Sequence, residues 1–256
     1  FMAGVVPGIL MCILLGVVAR WIAIRKNFPT EEFAGFKVIF FAFLASFPGL
    51  VTAIIVVGGA LSGIFTVTES GAIGAIYAII ITGFVYRSLS LKDFWVAVVR
   101  SVRTTGLVMI LVGCASAFGY MLALYEVPKV LAMTLTSISD NPIIILLMMN
   151  LILLLLGMIM DMAALILICT PIFLPVAIGL GMDPIHFGVM LMMNLGLGLC
   201  TPPVGGCLFV GCAIGGISIQ KAVRTIWPFY LAILIALMLV TFVPAVSMAL
   251  PNWING

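Results

Sequence analysis

The chain has 256 residues, 65% of them hydrophobic and only 7% charged, with a formal net charge of +3. A soluble globular domain carries about 25% charged residues, so this composition excludes a soluble fold and implies an all-α integral membrane protein. Short strands alternating polar and apolar faces are not evident, which argues against a transmembrane barrel.

The first apolar stretch covers residues 2–19. Phe1 already lies inside it and no signal-peptide pattern precedes it, so the chain is expected to be part of a longer subunit. Arg20, Arg25 and Lys26 follow, then a polar loop with Pro29, Glu31 and Glu32. Residues 38–65 are apolar again, and Pro48-Gly49 is expected to divide an aromatic segment from the membrane segment proper. Thr66-Val67-Thr68-Glu69 reads as a polar turn in which Glu69 is structural or solvated, with the next span at 70–86. Arg87, Lys92, Asp93, Arg100 and Arg103 mark a second basic loop. Within it, residues 91–102 place apolar side chains at helical spacing, the pattern of an interfacial amphipathic helix, ahead of a span at 105–122. Glu126-Val127-Pro128-Lys129 opens a less hydrophobic stretch that ends at Asp140-Asn141-Pro142.

Two apolar runs come next, 143–156 and 162–180, separated by Gly157-Met158-Ile159-Met160-Asp161. A spanning helix needs about 20 residues; the first run is short for that, and Pro171 and Pro175 are expected to interrupt the second. The pair therefore reads as a re-entrant hairpin with a polar tip. The run 186–216 is too long for one straight helix, and Thr201-Pro202-Pro203 divides it into two half-helices, because proline removes a backbone donor and clashes with the preceding turn. Lys221 and Arg224 are expected in a short loop before a last span at 229–248.

Cytoplasmic loops carry an excess of Lys and Arg. With the N-terminus outside, the inside receives Arg20, Arg25, Lys26, Lys37, Arg87, Lys92, Arg100, Arg103, Lys221 and Arg224. Of the 11 basic residues only Lys129 is then outside. The C-terminus is expected in the periplasm. A hairpin and two full crossings give the same assignment, so charge supports the orientation without proving the hairpin.

Candidate site residues gather at the two interruptions. Asp161 is the only charge between Asp140 and Asp183. A carboxylate at membrane depth is costly and marks a functional site by default, yet Asp is also a strong helix N-cap; both readings stay open. Transporters bind sodium where unwound carbonyls meet half-helix ends, and Thr201 adds a hydroxyl oxygen beside the double proline. Asn150 and Asn194 are isolated polar residues that either line a site or hydrogen-bond a neighbouring helix. Met190, Met192 and Met193 read as lipid-facing or core filler. His186 is the single histidine, which excludes a bis-histidine haem, and the six cysteines form no CxxC pair and read as small buried hydrophobes.

Gly63-Ile64-Phe65-Thr66-Val67-Thr68-Glu69, Gly157-Met158-Ile159-Met160-Asp161, Asp183-Pro184-Ile185-His186-Phe187-Gly188 and Thr201-Pro202-Pro203-Val204-Gly205 together carry a resemblance. The chain resembles the C-terminal part of the large membrane subunit of a tripartite ATP-independent periplasmic (TRAP) transporter, over essentially its whole length. Val67 departs from the proline usual in that family, which weakens any role for its turn. The resemblance implies two inverted repeats, each with a hairpin and a broken helix, of which this chain holds the second. It implies an elevator mechanism in which a transport domain carries sodium and an organic acid anion past a scaffold. The implied partners are the N-terminal repeat of the same subunit, a small membrane (Q) subunit, a periplasmic substrate-binding protein and the lipid bilayer, with no nucleic acid. Sialic acid carriers are closest in character and C4-dicarboxylate carriers next.

The expected organisation is scaffold and interfacial helices over 1–140, transport-domain hairpin and broken helix over 141–217, and an interfacial turn with a C-terminal transmembrane helix over 218–256. No cofactor is expected beyond Na+ as coupling ion, and no catalytic residue. The two interruptions are expected to meet and share one sodium ion. Its ligands would come from backbone oxygens around Gly157, Met160, Val204 and Gly205, the Thr201 hydroxyl, and Asp161 directly or through another ligand. Asn150, Asn194 and Pro202 are the substrate-side candidates. Weighed against this are a related ion-coupled anion carrier needing no binding protein, and a membrane subunit of a respiratory enzyme complex.

Overall fold

Every regular element among the described residues is helical, as lipid requires, since a helix pairs its backbone groups within one segment. The computed structural model describes residues 1–28, 35–139 and 141–255. The loop holding Pro29, Glu31 and Glu32, together with Asp140 and Gly256, lies outside them. In chain order come α1 (Met2–Arg25), α2 (Phe36–Ala53), a π-helical turn (Ile54–Gly58), α3 (Gly59–Leu61), α4 (Val67–Ile80) and a second π-helical turn (Ile81–Val85). They are followed by α5 (Leu91–Leu124), α6 (Val127–Ile138), α7 (Pro142–Gly157), α8 (Met162–Gly179), α9 (Pro184–Leu199), α10 (Gly206–Gly215), α11 (Ile219–Phe242) and α12 (Pro244–Asn255). Among the described residues six helical stretches are long and apolar enough to cross a membrane: Met2–Arg25, Phe36–Leu61, Val67–Val85, Leu91–Leu124, Met162–Gly179 and Ile219–Phe242. The chain is an all-α integral membrane protein.

Two compact units emerge, one formed by Asn27–Gly106 with Phe1, the other by Met2–Lys26 with Leu107–Gly256. In the first, α2 runs unbroken through Pro48 and continues by the π turn into α3, so the expected division at Pro48-Gly49 does not occur. Beside the proline, the Tyr77 hydroxyl donates to Pro48 O and the Tyr86 hydroxyl to Ala45 O, both at 3.2 Å. Thr66 and Glu69 form a reciprocal capping box at the start of α4, which makes Glu69 structural.

The expected interfacial helix at 91–102 and span at 105–122 are one continuous helix, α5, of 34 residues. Nothing between them stops a helix: the junction holds no proline, and Gly106 costs only about 1 kcal/mol relative to Ala. At 1.5 Å per residue α5 is about 51 Å long, against roughly 30 Å of hydrocarbon, so its charged first turns have room outside.

The second unit is built around α9. Phe187, Met190 and Leu195 are fully buried against Met149 and Leu153 of α7, Leu165 and Cys169 of α8, and Leu237 and Val240 of α11. α7 and α9 run parallel, since Asn150 meets Asn194 while Gly157 meets Gly198. α9 and α11 run antiparallel, since His186 meets Val240 while Cys200 meets Tyr230. α8 passes through Pro171 and Pro175 without interruption, again unlike the expectation; the Thr170 hydroxyl donates to Ile166 O at 2.5 Å in the turn before. Lys221 and Arg224 lie inside α11, not in a loop, and that helix ends at Phe242 before Pro244 starts α12.

Candidate ion site at two helix interruptions

The hairpin turn is shaped by ordinary helix-end chemistry. α7 starts with Asn141 accepting the Ile143 N–H and Pro142 in its first turn, and ends at Gly157. Ile159 and Met160 both donate their N–H to Leu156 O at 3.0 Å. Asp161 then takes an extended conformation, and its carboxylate accepts the Ala163 N–H at 3.0 Å, capping α8. The Asp161 side chain is exposed. Asp183 repeats the arrangement at α9, accepting from Ile185 N and His186 N with Pro184 next in the chain.

α9 stops at Leu199. Thr201 N donates to Gly198 O at 2.8 Å, and the Thr201 hydroxyl donates to Leu197 O at 2.7 Å, which leaves its oxygen lone pairs as acceptors. The Pro202–Pro203 peptide is cis, and Gly205 adopts φ +41° before α10 begins. A Cβ at Gly205 would lie 2.8 Å from Thr201 O, so the turn requires glycine both for its dihedral and for its space.

The structure brings the two interruptions together. Val204 N donates to Met158 O at 3.1 Å, and Gly205 N approaches the same oxygen at 3.4 Å. One turn away the backbones touch: a Cβ at Gly198 would lie 2.6 Å from the carbonyl carbon of Gly157. Met158 O is therefore occupied, whereas Met160 O and Val204 O receive no hydrogen bond among the described residues. The Tyr230 hydroxyl donates to Cys200 O, tying the break to α11. Tyr230 lies six residues beyond Arg224, about 9 Å along the helix, within the apolar length of α11. Four helix ends thus converge: the C-termini of α7 and α9, which favour a cation, and the N-termini of α8 and α10, which favour an anion.

Asn150 and Asn194 belong to a different level. They are 3% and 0% exposed, and Asn150 is two turns, about 10 Å, from Gly157 along α7. Asn194 Nδ2 donates to Asn150 O at 2.9 Å and to Asn150 Oδ1 at 2.8 Å, while Asn150 Nδ2 donates to Leu146 O and to the Thr241 hydroxyl. They form a polar clasp joining α7, α9 and α11. Asn194 Oδ1 has no protein partner among the described residues. Pro202 is half-buried at the break itself.

Residues 1–246 match the family model of the tripartite ATP-independent periplasmic transporter, DctM component. The chain belongs to that family. This DctM-family chain is 41% identical over 252 residues to YgiK of Salmonella typhimurium, covering 98% of this chain and 58% of that protein. It is 37% identical to the C4-dicarboxylate TRAP transporter large permease protein DctM of Pseudomonas aeruginosa, covering 100% of this chain and 60% of the relative. The sialic acid TRAP transporter large permease protein SiaM of Vibrio cholerae is also 37% identical, with the same coverage. The DctM-family chain thus spans about three fifths of the length of these relatives.

Three contributors to the junction escaped sequence reasoning. Gly198 carried a signal, since a glycine in a membrane helix marks a close approach of backbones. Met158 carried none, because a carbonyl acceptor is independent of side-chain type. Tyr230 is one aromatic residue among many.

Proposed function

We propose that the chain forms the ion-coupled half of a TRAP large permease subunit that takes up an organic acid anion with sodium. The observation that carries this reading is the bond from Val204 N to Met158 O, which sets two helix interruptions against each other within apolar helices. Sodium is a hard cation suited to oxygen donors. The donors on offer are Met160 O, Val204 O and the Thr201 hydroxyl, with the Asp161 carboxylate at the tip and the backbone of Gly157 and Gly205 closing the sides. The substrate carboxylate would face the N-terminus of α10 near Pro202, which has no side-chain cap and whose N–H groups favour negative charge.

The named relatives carry a C4-dicarboxylate and sialic acid, and both are carboxylates. Equal identity to the two gives neither an advantage; sialic acid is the first substrate to test and a C4-dicarboxylate the second. In this reading the N-terminal part of the subunit, a small membrane subunit and a periplasmic binding protein complete the system, and the transport domain moves as an elevator in the inner membrane. The test is uptake of the labelled acid into proteoliposomes holding the full-length permease. Uptake should require both an inward sodium gradient and the binding protein. Equal uptake on a potassium gradient would reject sodium coupling, and equal uptake without the binding protein would reject the tripartite reading.

A further inference from the structure

The outer face of α1 and α11 carries a feature that the ion junction does not use. α1 presents Val5, Ile9, Ile13, Val17 and Trp21 outward, each between 41% and 60% exposed. Each is a surface neighbour of the next, four residues on, so together they form one apolar stripe that winds slowly round the helix. At the C-terminal end of α1 the stripe runs into a cavity of about 400 Å³ lined by Trp21 and Arg25 of α1, by Lys26 just after it, and by Arg224, Thr225 and Pro228 of α11. A second cavity of about 360 Å³ shares Arg224 and adds Lys221 and Gln220.

Among the described residues no carboxylate lines either cavity, and the ion pair found among them, Lys129–Glu126, involves none of these cations. Arg25 lies 5.3 Å from the centre of the Trp21 ring, a cation–π contact that leaves its guanidinium edge free for an anion. Trp21 and Trp227 are 52% and 62% exposed, and tryptophan collects at the level of lipid headgroups. A small free anion would use the cations and leave the stripe unexplained. An amphiphile uses both.

We propose that this face binds an anionic phospholipid. Its phosphodiester sits among Arg25, Lys26 and Arg224, where arginine offers paired N–H donors matched to phosphate oxygens, and an acyl chain lies along the stripe from Trp21 toward Val5. Basic pockets between membrane helices suit such headgroups, each interfacial cation adding to the attraction. The site is separate from the ion junction and does not rest on sodium coupling.

Native mass spectrometry of the full-length protein, exchanged with phosphatidylglycerol or phosphatidylcholine, tests it. Wild type should retain phosphatidylglycerol in preference to phosphatidylcholine. The R25Q/R224Q variant should lower that preference about 30-fold, and K26Q alone about fivefold, the scale expected for two cations and for one. K129Q, whose cation is not in the cavity, should change nothing. Millimolar inorganic phosphate should not displace the lipid. Retention of phosphatidylglycerol that is the same in wild type, R25Q/R224Q and K26Q would overturn the proposal, as would full displacement by phosphate, which would make this a free-anion site. K26Q changes one exposed residue at a helix end, so it remains informative if the double variant fails to fold.

Discussion

At Asp161 the carboxylate already has a task, accepting the Ala163 N–H and starting α8. Two substitutions separate that task from a role toward the cation. Asp161→Ala should cost about 1 kcal/mol through loss of the cap. Asp161→Asn keeps a capping oxygen, so its thermal midpoint should match wild type while the sodium concentration for half-maximal uptake rises. An Asn variant with unchanged sodium dependence would leave Asp161 as a cap alone. Gly198 offers a packing test. A methyl there would sit 2.6 Å from the Gly157 carbonyl carbon, and backbone cannot swing aside as a side chain can. Gly198→Ala should destabilise by about 1–3 kcal/mol and depress uptake. A thermal midpoint and uptake equal to wild type would contradict the close crossing of α7 and α9.

Between elements, polar contacts specify partners that hydrophobicity cannot, because lipid is as apolar as the helix surfaces. The Asn150–Asn194–Thr241 clasp ties α7 and α9 to α11. A double-mutant cycle with Asn150→Leu and Asn194→Leu should return a coupling of about 0.6–1.7 kcal/mol, the range of interhelical bonds in membranes. Zero coupling in thermal unfolding would show that the clasp does not contribute. The prolines explain why some boundaries were legible and others not. Pro202-Pro203 ends a helix because it is followed by Gly205 at φ +41° and a new helix start, and that combination is visible in the sequence. Pro48 and Pro171 look equally disruptive on paper, yet α2 and α8 run through them, with hydroxyls of Tyr77, Tyr86 and Thr170 bonded to carbonyls close by. A single proline inside a long apolar helix removes one backbone donor, which the surrounding turns and packing can absorb, so its presence alone does not mark a boundary. The unbroken α5 was missed for a different reason: a change from charged to apolar residues is not a helix stop.

For the whole molecule, composition decided the class and the charge pattern decides the expected orientation. Arg20 and Arg25 lie toward the end of α1 and Lys26 just after it, while Lys221 and Arg224 lie in the first turns of α11, and the cavity shared by Arg25 and Arg224 puts these two clusters on one side of the second unit. Asn141 starts α7, parallel to α9 and so at the level of the C-terminal end of α11. In a background without native cysteines, an impermeant thiol reagent applied from outside should label Asn141→Cys and spare Arg224→Cys. Labelling of only the second position would invert the orientation. In the proposed function the junction of 157–161 with 201–205 holds the coupling ion, and Thr201 is the side chain there that offers it a hydroxyl oxygen. Thr201→Val nearly keeps the shape and removes the hydroxyl oxygen. Sodium titration of uptake by the full-length permease should then show a half-maximal concentration raised about tenfold, corresponding to about 1.4 kcal/mol for one lost bond to a charged partner, with the maximal rate still measurable. A half-maximal sodium concentration identical to wild type would contradict an ion bound at this junction.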